Sequence, residues 1–283
     1  MISVQNHRWC QIGLIALLMQ GVACAQLTLI PDKEPQMFFG GNACPVATIW
    51  NNSSNRSVRA KLRTRLFQTA STIAAPVADS PQKDLEVIPG QTVMENTLME
   101  FPAVRTETAF VIQWLEDSGH ILGTSSLLIY PTNLLQTLSA LITETNLAVL
   151  DPDDQLRPLL DSQGVQFVDV AEPGLDKFTG KLVLIGPFRP TIQMTNDLAK
   201  QIEKVAGKGV SVVWLRMLPE NAPKILPQVL SVQNCRMATI IVASADSIAN
   251  LADSPRAQLN LIRFCKVALD PKRFGFPHFE DQP

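Results

Sequence analysis

The chain has 283 residues, a formal net charge of -2 and a pI of about 5.9, so it carries no global attraction for nucleic acid or an anionic membrane. At 46% hydrophobic and 18% charged residues it is too apolar for a disordered chain, and its length holds two domains that each bury a core.

Residues 1–25 stand apart: His7 and Arg8 in a polar start, a short apolar run at 12–19, then Ala23-Cys24-Ala25. This pattern predicts a secretory signal peptide cleaved after Ala25 and a secreted or periplasmic protein. The run falls short of the roughly 20 residues of a spanning helix, so no transmembrane anchor is expected. Cys24 after Gly21-Val22-Ala23 is similar to the lipidated cysteine of a lipoprotein signal, but Gly21 stands where such signals usually carry leucine, and cleavage after Ala25 is preferred. Cys44, Cys235 and Cys265 remain, too sparse for a disulfide scaffold. Cys235 and Cys265 could pair, yet Cys265 lies in the apolar run LNLIRFCKVAL and reads as a small buried hydrophobe. Without CxxC, and with only His120 and His278 beyond the signal, no metal site of cysteine and histidine type is expected, and no cofactor.

Residues 26–131 read as strands: LTLI (27–30), VATIW (46–50), an unbroken alternation at 58–66, DLEVI (84–88), TVMENTLMEF (92–101), TETAFVIQWLE (106–116) and HILGTSSLLIY (120–130). About seven strands with turn signals between them predict an immunoglobulin-like β-sandwich. In the alternating stretch Val58, Ala60, Leu62 and Leu66 face inward, and Arg59, Lys61, Arg63 and Arg65 form an outward basic row. That row is a candidate polysaccharide-binding stripe. The simpler reading is a solvated strand face paired with Glu86, Glu95, Glu100 or Glu107 on a neighbour. Trp50, Trp114 and Trp214 sit in strand patterns and read as core, not as a sugar platform.

Leu134, Leu135, Leu138, Leu141 and Ile142 recur at helical spacing, which predicts a linking helix within 132–146. From 147 to 273 the runs LAVL, VQFVDV, KLVLIG, VSVVWL and ATIIVA are continuous and apolar, as in strands buried on both faces. Helices are expected at 153–163, 194–206, 220–230 and 255–269, with none between 170 and 181. The alternation predicts an α/β, flavodoxin-like parallel sheet. Residues 274–283 are expected to be a surface tail.

The order LAVLDPDDQLRPLLDSQGVQFVDV, KLVLIGP and GKGVSVVWL resembles class I glutamine amidotransferase-like domains, and more narrowly the trimerisation domain of some secreted β-galactosidases. The preceding strands are similar to accessory sandwiches of the same carbohydrate-active proteins. The resemblance implies a cysteine on a glycine-flanked turn after the fourth strand, and a late histidine. Here the turn reads Trp214-Leu215-Arg216-Met217-Leu218, and no histidine lies between His120 and His278. The expectation is therefore a non-catalytic pseudo-amidotransferase, an exported binding or assembly protein associated with carbohydrate metabolism. Carbohydrate, a glycoside hydrolase or a second copy would be its partner, and nucleic acid would not.

An enzyme alternative rests on Asp151-Pro152-Asp153-Asp154 after the first parallel strand, where Asp151 and Asp153 could serve a metal-dependent hydrolase or phosphatase. The competing reading has Asp151 or Asp153 capping the helix that starts near 154, so that Asp151→Ala costs about 0.5–2 kcal/mol. Asp153, Asp154, Arg189, Arg216, Ser244 and Asp246 also follow parallel strands and should gather with Asp151 around a ligand crevice. Arg189 and Arg216 would there hold an anion or neutralise Asp151 and Asp154.

Overall fold

The computed structural model describes residues 27–70, 73–142, 146–189, 192–217, 229–235 and 238–271. The expected signal segment, the expected helix as far as 228 and the expected tail at 274–283 lie outside the described residues. Among the described residues, one compact unit takes 27–36, Gly41–Pro102 and Thr108–Ile129. The other takes Met37–Gly40, Ala103–Glu107 and the described residues from Tyr130 onward.

The first unit is built on antiparallel pairing. Strands β1 (Leu27–Ile30), β3 (Ala43–Asn52) and β6 (Thr92–Glu100) form a three-stranded sheet in the order β1-β3-β6. Strands β4 (Val58–Ala70), β5 (Ile73–Val87), β7 (Thr108–Glu116) and β8 (Ile121–Tyr130) belong to a second sheet with β2 (Gln36–Phe39), whose residues 37–39 fall in the other unit, in the order β2-β8-β7-β4-β5. The alternating stretch lies in β4, where Ala60, Leu62, Thr64 and Leu66 are buried and the four cations between them are exposed. Trp50 of β3 and Trp114 of β7, 0% and 1% exposed, meet edge to face with ring centroids 5.8 Å apart. The β7–β8 hairpin turns at Gly119, whose φ of +86° suits glycine and whose N–H donates to the Glu116 carbonyl at 2.9 Å.

The second unit holds a six-stranded sheet of β9 (Leu147–Leu150), β10 (Val168–Asp169), β11 (Leu182–Ile185), β12 (Ser211–Arg216), β13 (Val229–Cys235) and β14 (Ala238–Ser244), in the order β10-β9-β11-β12-β14-β13. All its pairs are parallel except β13 with β14. Every residue of β9 and β11 is buried, which explains their unbroken apolar runs. Helices α1 (Thr137–Leu141), α2 (Arg157–Ser162), α3 (Ile192–Gly207) and α4 (Pro255–Leu269) accompany the sheet, with 3-10 turns at Leu134–Gln136, Glu172–Lys177 and Ala245–Ile248. Helix α4 starts where Ser254 accepts from the Ala257 N–H at 3.2 Å and Pro255 presets the first turn. No described helix is long and apolar enough to cross a membrane.

The expected architecture, an immunoglobulin-like sandwich followed by a flavodoxin-like domain, is corrected by this topology. The molecule is a mixed α/β chain with three sheets and strands interleaved with helices. The second sheet includes β2, a strand with no alternation to announce it, and residues 37–40 and 103–107 cluster with the later chain. The third sheet is not all parallel: β13 starts at Val229, inside the expected helix, because its residues find a ladder on β14 from Val229 to Cys235. Cross-strand pairing overrides weak helical spacing there.

Cys265 sits on the buried face of α4 as a free thiol, 1% exposed, so it does not pair with Cys235. Burial pushes this thiol up to about 12 from its ordinary 9.0. A raised folded-state value means that the protonated thiol's contribution to stability is whole below pH 9.0 and is lost as pH rises towards 12. Iodoacetamide at about pH 8 is expected to spare Cys265 in the native protein and alkylate it in urea, as read by peptide mass spectrometry.

Candidate functional site

The carboxyl end of β9 runs into Asp151, a carboxylate only 2% exposed. Its Oδ2 accepts from the N–H groups of Leu156 at 2.7 Å and Arg157 at 3.0 Å. Asp151 thus caps α2 across five and six residues, and the helix opens at Arg157, later than expected. The intervening loop turns at Asp154, whose φ is +53° and whose N–H reaches the Asp151 carbonyl at 3.2 Å. The other oxygen, Oδ1, is buried with no hydrogen-bond partner. It lies over Gly186, where an added Cβ would come within 2.3 Å of it. Gly186 follows β11, and its N–H donates to the Leu150 carbonyl at 2.8 Å, so the registered β9–β11 pair sets this close approach.

Arg157 neutralises this loop. Its Nη2 donates to the Asp151 carbonyl at 2.9 Å and pairs with Asp154 Oδ1 at 2.7 Å, while Nη1 bonds Asp169 Oδ2 at 2.7 Å. The sequence points to Arg189 and Arg216, holding an anion or neutralising the aspartates, and does not point to Arg157 or Asp169. The available signal was their position: Arg157 opens the helix after the aspartate loop, and Asp169 ends β10, paired parallel to β9. Arg216 instead extends over the Trp214 ring, 5.7 Å from its centroid, and is exposed, as is Arg189.

The remaining candidates divide into local pairs. Ser244 is buried and accepts from the Asp246 N–H at 3.3 Å, while its own carbonyl accepts from Ser247 Oγ at 2.6 Å. These bonds cap the 3-10 turn after β14 and leave the Asp246 side chain exposed. Asp153 is also exposed, whereas Asp151 is enclosed, so the two carboxylates of the hydrolase alternative do not share an environment. Among the described residues no group of three or more His, Cys, Asp or Glu side chains is placed to hold a metal.

The basic row on β4 is matched by the neighbouring strand β5. Arg59 pairs with Glu86 at 3.1 Å, Arg65 pairs with Asp79 at 3.4 Å, and Lys61 lies opposite Asp84. Arg63 faces Leu115 of β7 instead. Exposed pairs of this kind contribute roughly 0–1 kcal/mol each.

A different surface collects apolar groups. The inward side of β3 carries Val46, Thr48 and Trp50, all buried. Its outward side sets Ile49 between Ile30 of β1 and Met94 of β6, and Pro45 beside Leu98. Ile30, Met94 and Leu98 are 39%, 68% and 70% exposed. The β6 edge is engaged by Lys83, whose Nζ donates to the Asn96 carbonyl at 2.7 Å and pairs with Glu95 at 2.8 Å. Such a lysine hinders strand addition, so the open feature is the sheet's face.

No protein-family model and no curated protein matches the chain. Among solved structures, it is similar to the alkylpurine DNA glycosylase AlkC of Pseudomonas fluorescens bound to DNA with an abasic site analogue: 14% identity over 40% of this chain and 33% of that one, TM-score 0.30. It is also similar to a Listeria innocua β-glucosidase in complex with glucose, at 11% identity over 38% of this chain and 16% of that one, TM-score 0.29. A Bifidobacterium adolescentis β-glucosidase matches at 10% identity over 38% and 17%, TM-score 0.28. The chain spans a third or less of these structures, and likenesses at such TM-scores carry no argument about fold or function.

Proposed function

We propose that the protein is an exported, non-catalytic assembly module associated with carbohydrate metabolism, and that the outer face of the β1-β3-β6 sheet docks on a second copy of the chain. The observation that carries this reading is the row Ile30, Ile49 and Met94 across all three strands, with Leu98 and Pro45 beside it. Contiguous exposed apolar surface is costly in water, and covering it returns about 25 cal/mol per Å². The outward positions around the row are Thr28, Ala43, Ala47, Asn51, Thr92, Asn96 and Glu100, so a single charge stands at one end. With Glu100 at one end and the Lys83–Glu95 pair at the β6 edge, the centre of the face is uncharged and presents little to repel its own image, as a two-fold contact requires.

The burial of Asp151, with Oδ2 held by its own loop, supports a non-catalytic reading over the hydrolase, because a nucleophile or metal ligand must be reachable by its substrate. The carbohydrate association rests on the resemblance in sequence order, and export rests on residues 1–25. Light scattering after gel filtration should give a dimer mass for the mature protein. The Met94→Lys, Leu98→Lys variant should run as a monomer with an unchanged circular dichroism spectrum. A native monomer, or a dimer indifferent to both lysines, overturns the docking assignment. N-terminal sequencing should begin at Gln26, and a retained leader overturns export.

A further inference from the structure

A second surface feature lies in the six-stranded sheet's unit and shares no residue with the docking face. Loops following β9, β11, β12 and β14 surround a cleft of about 450 Å³. Ligand pockets commonly span about 300–1,000 Å³, and crevices beyond the carboxyl ends of parallel strands are where such sheets hold ligands. We propose that this cleft binds a small ligand with an aliphatic body and one ammonium group.

The walls define the body. Leu159, Pro187, Met217, Ile248 and Leu251 line it with apolar side chains. A short alkyl chain matches these aliphatic walls. The rim defines the charge. Asp246 brings a carboxylate, and Gln155 and Asn250 bring neutral amides. An ammonium group would meet its complement in the Asp246 carboxylate.

The cleft wall after β14 is held in shape before any ligand arrives. Gln258, 1% exposed on α4, donates to the Leu251 carbonyl at 3.0 Å, and Asn260 donates to the Ser247 carbonyl at 2.8 Å. The Asn250 carbonyl accepts from the N–H groups of both Asp253 and Ser254 at 2.9 Å. A pre-formed wall spares a ligand the entropy of ordering it.

The test is a titration of the full mature protein, followed by backbone amide NMR, with n-hexylammonium chloride and with sodium hexanoate. Hexylammonium should perturb amides of residues 155–156 and 245–252 saturably, and hexanoate should not. Asp246→Asn, an exposed change that keeps the side-chain shape, should weaken hexylammonium binding about fivefold, the scale of one exposed charge pair. Equal binding of the two probes, no saturable binding, or an unchanged affinity in Asp246→Asn overturns the proposal. The oligomeric state is read separately and depends on Met94 and Leu98, so failure here leaves the docking assignment intact.

Discussion

Trp50→Ala is expected to destabilise the first unit by about 3–5 kcal/mol, the range for truncating a large buried aromatic side chain. Trp50 and Trp114 are almost wholly enclosed, and their rings meet at 84°, an edge-to-face contact that adds about 0.5–1.5 kcal/mol beyond burial. Each indole N–H is also spoken for: Trp50 donates to Thr48 Oγ1 at 2.9 Å, and Trp114 donates to Ser125 Oγ at 3.1 Å. Truncation therefore leaves a cavity and removes a donor from a buried hydroxyl at once. Trp114→Ala should cost a similar amount, and the double variant should cost less than the two added together, because both changes delete the same ring contact. Urea unfolding followed by circular dichroism measures all three. Costs that add within about 0.5 kcal/mol would mean that the rings stabilise the sheets independently.

The elements legible in the sequence are those whose signal is local. Nine alternating residues locate β4 because buried and exposed positions alternate along a single strand. Ser254-Pro255 locates the start of α4 because capping involves neighbours three residues apart. Strand β2 is illegible for the opposite reason. Its first residue, Gln36, is fixed by its side chain, which accepts from the Ala47 N–H at 3.0 Å and donates to the Ala47 carbonyl at 2.6 Å. No local period records such a bond. The same holds for β13, whose identity comes from pairing with β14, and for the apolar face, whose members become neighbours only through the β1–β3–β6 register. At the sheet edge, Asp151 could be read as a cap from its place before a helix. Its contact with Gly186 could not, because that depends on how β9 and β11 align.

Gly186→Ala is accordingly expected to be among the most damaging small substitutions in the second unit. The new methyl would lie 2.3 Å from Asp151 Oδ1 and 3.1 Å from its Cγ, and the carboxylate cannot step aside without releasing the Leu156 and Arg157 N–H groups. Overpacking of this kind costs about 1–3 kcal/mol. Asp151→Ala should cost about 3 kcal/mol or more, above the range of a simple cap, because two hydrogen bonds to a buried charge are worth about 1.5–3 kcal/mol each and their donors are left unpaired. The two changes should compensate each other in part: removing the carboxylate clears the space that the added methyl needs, so the double variant should fall short of the sum by about 0.5–3 kcal/mol. Chemical denaturation of the four proteins gives this coupling directly. If the two costs simply add, the backbone at Gly186 yields to the methyl without help from Asp151, and the close approach of β11 does not fix the shape of the loop that carries Gln155 and Leu156 to the cleft.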